Sequence, residues 1–240
     1  MIDWIIALFV GLGVFLAVYA GAFSVSMIVS KGTGFGRNVK DRPWLSNLIV
    51  GPVVLTESLL VIVFLAQGQL TSWGLQYPSF EGILAVGFSG SVLAVLTLLT
   101  SESISPTPSE MKPPSDSRGR FGFFVLIVIL ASISEELIFR GVIQNLLDQA
   151  LLLALDLGFF SLTGGTVVSG LLFAVVHAAP AKRMGVSLGV LVGSALVLGL
   201  SAGIALYETG SLLAPILIHG LFNFFGFAIG IREDNEENAS

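Results

Sequence analysis

Three ionisable residues lie in one of the most apolar stretches of the chain, "ILASISEELIFRGVIQNLL" at residues 129–147. Glu135, Glu136 and Arg140 interrupt a run that otherwise reads as a buried helix. A charged side chain at mid-membrane costs roughly 2.5–3.5 kcal/mol by insertion scales, so such residues mark a functional site by default. A glutamate in these surroundings can act as a general acid or base.

Three further polar residues lie in or at the edge of apolar segments nearer the C-terminus. His177 ends "LLFAVVH", and His219 and Asn223 lie in "PILIHGLFNFFGF"; the two histidines are the only ones in the chain. Residues four apart share a helix face, so His219 and Asn223 can face one cavity. The same spacing places the Phe173 ring beside His177.

The spacing also separates the two glutamates. Glu136 and Arg140 are four residues apart and are predicted to pair, in a chemical or a purely structural role. Glu135 lies about 100° around the helix and has no cation on its own face. A carboxylate together with an imidazole can take a proton from water. Glu57, early in the second apolar run, is interpreted as a structural residue near a span end.

The composition indicates which kind of protein positions these residues. Of 240 residues, 54% are hydrophobic and only 11% are charged, whereas soluble domains carry about 25% charged residues. Apolar runs of about 20 residues, the length that crosses a hydrocarbon core, recur along the chain. These runs are continuously apolar rather than alternating, which is not typical of a membrane β-barrel. The sequence therefore predicts an all-α polytopic transmembrane helical bundle.

We expect seven or eight spans and a multi-pass protein of the cell membrane. The apolar runs cover residues 3–29, 47–67, 82–100, 121–139, 161–179, 186–206 and 211–231. The segment 140–160 is helical in pattern and either extends the fourth run or lies at an interface. The first run is too long and too evenly apolar for a cleaved signal peptide, so it is predicted to be a span. The loop "KGTGFGRNVKDRPW" has four basic residues and one acidic residue, which indicates the cytoplasmic side.

A loop rich in serine and proline, residues 101–120, is typical of a flexible linker. It separates an N-terminal three-span region, residues 1–100, from a second region, residues 121–231, that contains the candidate site. Residues 232–240 form an acidic tail that contributes to the net charge of -5. No repeat of 20 to 50 residues is present, which argues against a transporter built from inverted repeats.

The composition also excludes several kinds of chemistry. The chain has no cysteine, so disulfides, thiolate-ligated metals and cysteine nucleophiles are not available. Its 11 lysines and arginines form no basic face, so nucleic acid is not an expected partner. Ser132 and Ser134 have no lysine or histidine neighbour, and their expected roles are packing and backbone hydrogen bonding.

Three motifs occur in order on separate apolar segments. "EELIFRG" is similar to an EExxxR(G) signature, "FAVVH" to FxxxH and "HGLFN" to HxxxN. Together, in a chain of this size and hydropathy, they resemble the CPBP family, also called the Abi family. This family contains CAAX-type prenyl endopeptidases and bacteriocin-processing or immunity proteins. The resemblance covers about residues 120–231, and no motif position departs from the pattern.

The resemblance implies an intramembrane glutamic-type endopeptidase whose partners are membrane lipid and a membrane-tethered or prenylated peptide or protein. By this resemblance Glu135 would activate the attacking water together with His177, and no cofactor would be required.

The remaining motif residues receive supporting roles from the same resemblance. His219 and Asn223 would form the oxyanion hole, and Glu136 with Arg140 would hold the site in shape. An imidazole N–H and an amide N–H are suitable donors to a developing oxyanion.

Two alternatives belong to other mechanisms or classes. The histidines and glutamates could bind zinc in a metalloprotease, although HExxH and a third histidine are missing. A non-catalytic scaffold, an immunity protein or a proton-coupled carrier could also use buried acids and histidines. The intact motifs and the absence of repeats argue against this second alternative.

The sequence gives one geometric expectation and one difficulty. Glu135 and His177 are 42 residues apart, and the midpoint, Asp156, lies beside a plausible turn. An antiparallel helical hairpin there would bring both residues to the same depth. Counting spans from the basic loops, however, places His219 nearer the side opposite His177.

Overall fold

The structure is a computed structural model of the 240-residue chain, described for residues 3–84, 88–104, 112–179 and 187–237. The predicted all-α fold is confirmed. The helices that build the bundle are α1 (Asp3–Thr33), α2 (Phe35–Asp41), α3 (Asn47–Ala66), α4 (Phe88–Ile104), α5 (Ser117–Leu151), α6 (Gly164–Val176), α7 (Leu188–Thr209) and α8 (Leu213–Glu237). Short helical turns at Pro43–Ser46, Leu70–Trp73 and Phe80–Gly82 lie in the connections.

Five of these helices are long and apolar enough to cross a membrane, which makes the chain a multi-pass membrane protein. The spans are Trp4–Thr33, Pro43–Ala66, Ser117–Leu151, Leu188–Thr209 and Leu213–Arg232. Two shorter apolar helices, Phe88–Ser101 and Gly164–Val176, correspond to the other predicted runs. At a rise of about 1.5 Å per residue, the 13 residues of α6 extend about 20 Å, less than a hydrocarbon core of about 30 Å. The predicted count of seven or eight spans is therefore not confirmed.

The central helix, α5, is longer than the fourth apolar run. It continues through Arg140 to Leu151, so the segment after residue 140 extends the run for about ten residues. Two stretches of α5, Phe124–Ala131 and Leu137–Gln144, are π-helical, and they flank the α-helical turn Ser132–Glu136. Such i→i+5 geometry is rare and occurs frequently at functional sites.

A small hairpin reverses the chain after α5. Strands β1 (Ala154–Asp156) and β2 (Ser161–Thr163) pair antiparallel, and Gly158 adopts a φ of 85° in the turn between them. The Thr163 hydroxyl then accepts from the backbone N–H of Thr166 at 2.9 Å and caps α6. The predicted turn near Asp156 is therefore confirmed, although a β-hairpin rather than a tight helix–helix loop makes it.

The helices pack around α5, which contacts α1, α3, α6, α7 and α8. Residues from several helices, including Ile62, Phe139, Phe173, Ala205 and Ile218, form one buried core. Helices α6 and α7 approach closely at Gly170 and Gly199, where a Cβ added to Gly199 would lie 3.1 Å from the Gly170 Cα. Small residues permit such an approach between membrane helices.

The predicted boundaries between regions lie within helices. Helix α4 continues to Ile104 and α5 begins at Ser117, so both ends of the predicted linker are helical, while residues 105–111 lie outside the described residues. The Asp116 side chain accepts from the Gly119 N–H at 2.7 Å and caps α5. The predicted acidic tail begins inside α8, which extends to Glu237.

Candidate active site

Helix α5 places its two adjacent glutamates in different surroundings. Glu136 is completely buried. Its Oε1 lies 2.8 Å from the His219 Nδ1 of α8, and its Oε2 lies 3.1 Å from the Arg140 Nε. The predicted pairing of Glu136 with Arg140 is thus confirmed, and His219 is a second partner of the same carboxylate.

Arg140 links this pair to two further helices and is also completely buried. Its Nη2 donates to the Gly199 carbonyl oxygen of α7 at 2.8 Å, and its guanidinium carbon lies 4.7 Å from the centre of the Phe173 ring of α6. The contact of Nε with Glu136 lacks hydrogen-bond geometry, and Nη1 has no hydrogen-bond partner among the described residues. Charge attraction, the Gly199 carbonyl and the aromatic face therefore compensate for its burial.

His219 faces Glu136 with a defined nitrogen. Because the carboxylate accepts, Nδ1 carries the hydrogen in this contact. Nε2 takes no part in the contact with Glu136. The His219 imidazole also meets the Phe173 ring edge-to-face, with ring centres 5.6 Å apart. His219 can donate from Nε2 only as an imidazolium, with hydrogens on both nitrogens.

Glu135 lies on the wall of a cavity of about 530 Å³. His177, from the end of α6, lines the same cavity. Residues of α1, of α3 and of the turn before α3 complete the lining, and these residues are mostly apolar. The Glu135 carboxylate has no hydrogen bond or ion pair within the described part of the chain, whereas that of Glu136 is held by two partners. A cavity of this size is typical of small-molecule or peptide sites.

The imidazole of His177 is oriented by its own helix. Its Nδ1 lies 2.7 Å from the Phe173 carbonyl oxygen. A carbonyl can only accept, so Nδ1 carries the hydrogen and a neutral His177 has its lone pair on Nε2. The His177 and Phe173 ring centres are 4.6 Å apart, which confirms the predicted ring contact. Nε2 is therefore the basic atom that His177 can offer to a water molecule.

Phe173 resolves the difficulty with the depth of His219. One completely buried ring contacts both His177 and His219. The two histidines therefore lie on the same part of the bundle, but only His177 lines the cavity with Glu135.

Asn223 forms hydrogen bonds to the central helix, α5. Its Nδ2 donates to the Ile127 carbonyl oxygen at 3.1 Å and to the Ser132 hydroxyl at 3.0 Å. Both amide hydrogens thus bind α5, and neither Asn223 nor His219 lines the cavity that contains Glu135. Among the candidate residues, Glu135 and His177 line this cavity, while His219 and Asn223 contact α5.

The comparison with protein families gives a match in this region. Residues 117–225 match the family model described as "Type II CAAX prenyl endopeptidase Rce1-like". This region is similar to the Rce1-like family. No curated protein and no solved structure matches the chain. The match begins at the first residue of α5 and ends two residues after Asn223, so the Rce1-like region contains every candidate residue. Its family implies a peptidase of the CAAX type.

The sequence also predicted structural roles for two serines and one further glutamate. Ser132 donates to Val128 at 2.8 Å and Ser134 to Ala131 at 3.1 Å, which confirms their backbone hydrogen-bonding role. Glu57 lies in the middle of α3, not near a span end as predicted. The prediction was wrong because Glu57 is the eleventh of the 20 residues in α3.

Metal-binding residues do not cluster in the described ranges. No group of three histidine, cysteine, aspartate or glutamate side chains lies close enough there to hold an ion. Glu136 and His219 do form a pair, but Arg140 occupies the other side of that carboxylate.

Residues of α1 were missed by the sequence analysis. Phe15, Tyr19 and Phe23 line the cavity on the side of the N-terminal region, outside the Rce1-like match. Their spacing of four residues places them on one helix face, which was a visible signal. That signal was ambiguous because α1 is apolar on every face, so the sequence did not indicate which face turns inward.

Proposed function

We propose that the protein is an endopeptidase of the cell membrane that hydrolyses a peptide bond of a membrane-tethered or prenylated substrate, using water activated by Glu135 and His177. The observation that carries this proposal is the cavity these two side chains share. In it, the Glu135 carboxylate has no hydrogen bond to another described residue, and the His177 Nε2 can accept a proton.

The reaction requires only groups that this cavity supplies. A water molecule loses a proton to Glu135 or His177, and its oxygen attacks the carbonyl carbon of the scissile bond. The C–N bond then breaks, and the acquired proton passes to the leaving nitrogen. No metal or cofactor is needed in this scheme. The mostly apolar lining of the cavity supports a substrate that approaches from the membrane.

The other four site residues have positioning roles in this proposal. Glu136, Arg140 and His219 connect α5 to α7 and α8, and Asn223 adds a second link between α5 and α8. These contacts fix the rotation of α5 and thereby direct Glu135 towards the cavity. The oxyanion role that the motif resemblance implies for His219 and Asn223 stays a prediction.

The N-terminal region, residues 1–100, has a function of its own in this scheme. Eight of the fourteen residues that line the cavity come from α1, from α3 or from the turn before α3. We infer that this region forms the substrate-facing wall, while the region 121–231 supplies the water-activating pair. The linker 101–120 and the acidic tail 232–240 receive no catalytic role.

The deciding experiment compares Glu135→Gln with Glu57→Gln. Each replaces an intramembrane carboxylate by an amide of the same shape, but only Glu135 lines the cavity. Purified protein in phosphatidylcholine vesicles is offered a set of fluorogenic peptides anchored by a farnesylated cysteine, and cleavage sites are identified by mass spectrometry. We expect cleavage by the wild type and by Glu57→Gln, and none by Glu135→Gln. Cleavage at the wild-type rate by Glu135→Gln would refute the proposal.

Two further results of this assay distinguish the proposal from the metalloprotease and non-catalytic alternatives. Treatment of the wild type with a chelator should leave the rate unchanged. Loss of activity on chelation and recovery with added zinc would favour the metalloprotease alternative. If the wild type cleaved no anchored peptide, a non-catalytic role as scaffold or immunity protein would be supported instead.

A further inference from the structure

The two ends of the bundle differ in charge. Trp44, in the turn before α3, packs on Phe123 of α5, and Phe123 packs on Phe227 of α8, with ring centres 5.8 Å and 6.0 Å apart. The starts of α3 and α5 and the last turns of α8 therefore share one end of the bundle. No lysine or arginine occurs in the connections at the opposite end, which are residues 67–79, 152–163 and 209–212.

Four basic residues of the first end lie within twelve residues of sequence, in the basic segment, residues 31–42. Lys31 lies in the last turn of α1, Arg37 and Lys40 lie on α2, and Arg42 follows α2. All four side chains are exposed, and none has an ion pair or hydrogen bond to a side chain that the structure describes. Because Asp41 is the one acidic residue of the segment, four positive charges stand against one negative charge.

The basic segment lies where the apolar surface of the bundle ends. Met27 and Ile28 precede it on α1 and are 51% and 70% exposed, and Leu48 follows it on α3 and is 53% exposed. Apolar side chains that remain exposed on membrane spans face lipid. The basic segment is therefore bordered on both sides by lipid-facing residues, which places it at the level of the lipid headgroups.

Helix α2 presents its charges on the side away from the bundle. Gly34, with a φ of 70°, separates α2 from α1, and α2 packs on α1 and on the turn before α3. Phe35 and Val39 are four residues apart and half-buried, whereas Arg37 and Lys40 are three apart and exposed. A short helix with an apolar side on the protein and a basic side outward is suited to a negatively charged surface.

We propose that the basic segment binds the phosphate groups of anionic phospholipids. Clusters of about four to eight lysines and arginines directly after a transmembrane helix are typical of anionic-lipid recognition. Ser46 and Asn47 line the cavity and follow Arg42 within five residues, so lipid binding here also holds the start of the α3 wall. This inference does not depend on the proposed function, because lipid binding is measured without peptide cleavage.

The acidic end of α8 is the competing partner for these charges. Helix α8 extends to Glu237, and its last turns contain Glu233, Asp234 and Glu236. This helix packs on α5 through Phe227, whereas α2 packs on α1 and on the turn before α3. We therefore expect the basic segment to bind lipid with the acidic end of α8 in place.

Native mass spectrometry of the full chain in dodecyl maltoside tests this binding. Dioleoylphosphatidylglycerol and dioleoylphosphatidylcholine are titrated separately, and we expect the anionic lipid to bind more tightly. Each basic residue near an anionic surface contributes about a fivefold gain in binding. Arg37→Gln combined with Lys40→Gln should therefore weaken binding of the anionic lipid about 25-fold and leave that of the neutral lipid unchanged.

Two matched variants distinguish the basic segment from net charge. Arg37→Lys combined with Lys40→Arg keeps both charges and should keep the wild-type affinity. Adding Glu81→Gln and Glu208→Gln to the Arg37→Gln and Lys40→Gln variant restores the net charge at the opposite end, where both acids are exposed. The affinity for the anionic lipid should stay low in that protein. Its recovery would show that net charge alone governs binding and would overturn the inference.

Three other results would also overturn the inference and leave the proposed function intact. The first is equal affinity of the wild type for the two lipids, or unchanged affinity when Arg37 and Lys40 are replaced by glutamine. The second is displacement of the anionic lipid by millimolar inorganic phosphate, which would assign the segment to a soluble anion. The third is a preference for the anionic lipid that appears only after deletion of residues 233–240, which would make the acidic end of α8 the partner of the basic segment.

Discussion

Glu135 and Glu136 are adjacent in the chain, yet one faces a cavity and the other is enclosed by charged and aromatic partners. Glu136 contacts Arg140 and His219 and is completely buried. Glu135 meets an open volume of about 530 Å³ that it shares with His177. A rotation of about 100° between successive helical residues is sufficient to separate them. Residues of one motif can therefore divide into a positioning group and a reactive group.

Different helices supply the two environments. Helices α7 and α8 provide the Gly199 carbonyl and His219 to the buried group. Helices α1 and α3 provide half of the residues of the cavity wall. Helix α6 contributes His177 to the wall and the Phe173 ring to the buried group. Changes in α7 or α8 should therefore act on stability and activity together, whereas changes at the cavity should act on activity alone.

The largest effect on this division is expected for Arg140→Ala. The substitution leaves Glu136 buried with His219 as its remaining partner, and breaking a buried ion pair typically costs about 3–5 kcal/mol. Both the free energy of unfolding in detergent and the peptidase rate should fall. Unfolding monitored by circular dichroism, together with the anchored-peptide assay, measures both.

A double variant provides the control for this prediction. Glu136→Gln combined with Arg140→Met removes both charges and keeps similar volumes, so much of the lost stability should return. If Arg140→Ala abolished cleavage without lowering the melting temperature, Arg140 would have a direct chemical role. The separation into positioning and reactive groups would then be wrong.

Local spacing was sufficient to predict several contacts of the site. The interval of four residues correctly paired Glu136 with Arg140 and placed the Phe173 ring beside His177. These contacts lie within a single helix, where geometry depends only on the backbone period. The turn near Asp156 was also predictable, since an antiparallel return is needed to bring His177 near Glu135.

Contacts between helices were not predictable from spacing. The bond from Asn223 to the Ile127 carbonyl depends on where α8 crosses α5, and the inward face of α1 depends on its partners. The partnership of His219 with Glu136 was missed for the same reason. In a chain with apolar residues on all helix faces, amphipathicity does not mark the packed side.

A smaller effect is expected where α6 and α7 approach each other. In Gly199→Ala the new methyl group would lie 3.1 Å from both the Cα and the carbonyl oxygen of Gly170. The helices must separate slightly, which weakens the bond from Arg140 to the Gly199 carbonyl. Overpacking of this kind typically costs about 1–3 kcal/mol, so the melting temperature should fall and the peptidase rate should decrease with it.

The same helix contains a matched control. A methyl group added at Gly193 meets no atom within 4 Å, so Gly193→Ala should be neutral or slightly stabilising because alanine has the higher helix propensity. Equal melting temperatures for the two variants would mean that the close approach at Gly199 does not position Arg140.

The smallest effect is expected for Asn223→Ala. This variant tests whether Asn223 belongs to the positioning group or to the reactive group. Two hydrogen bonds to α5 are lost, and interhelical hydrogen bonds in membrane proteins average about 0.6 kcal/mol each. We therefore expect the free energy of unfolding to fall by about 1 kcal/mol and the rate to fall less than tenfold. Ser132→Ala removes one of the two acceptors and should produce a smaller change in the same direction.

An oxyanion donor would behave differently: kcat would fall about 10²–10³-fold at an unchanged melting temperature, and Ser132→Ala would have no effect on the rate. That result would move Asn223 to the reactive group and support the oxyanion role that the motif resemblance implies for it.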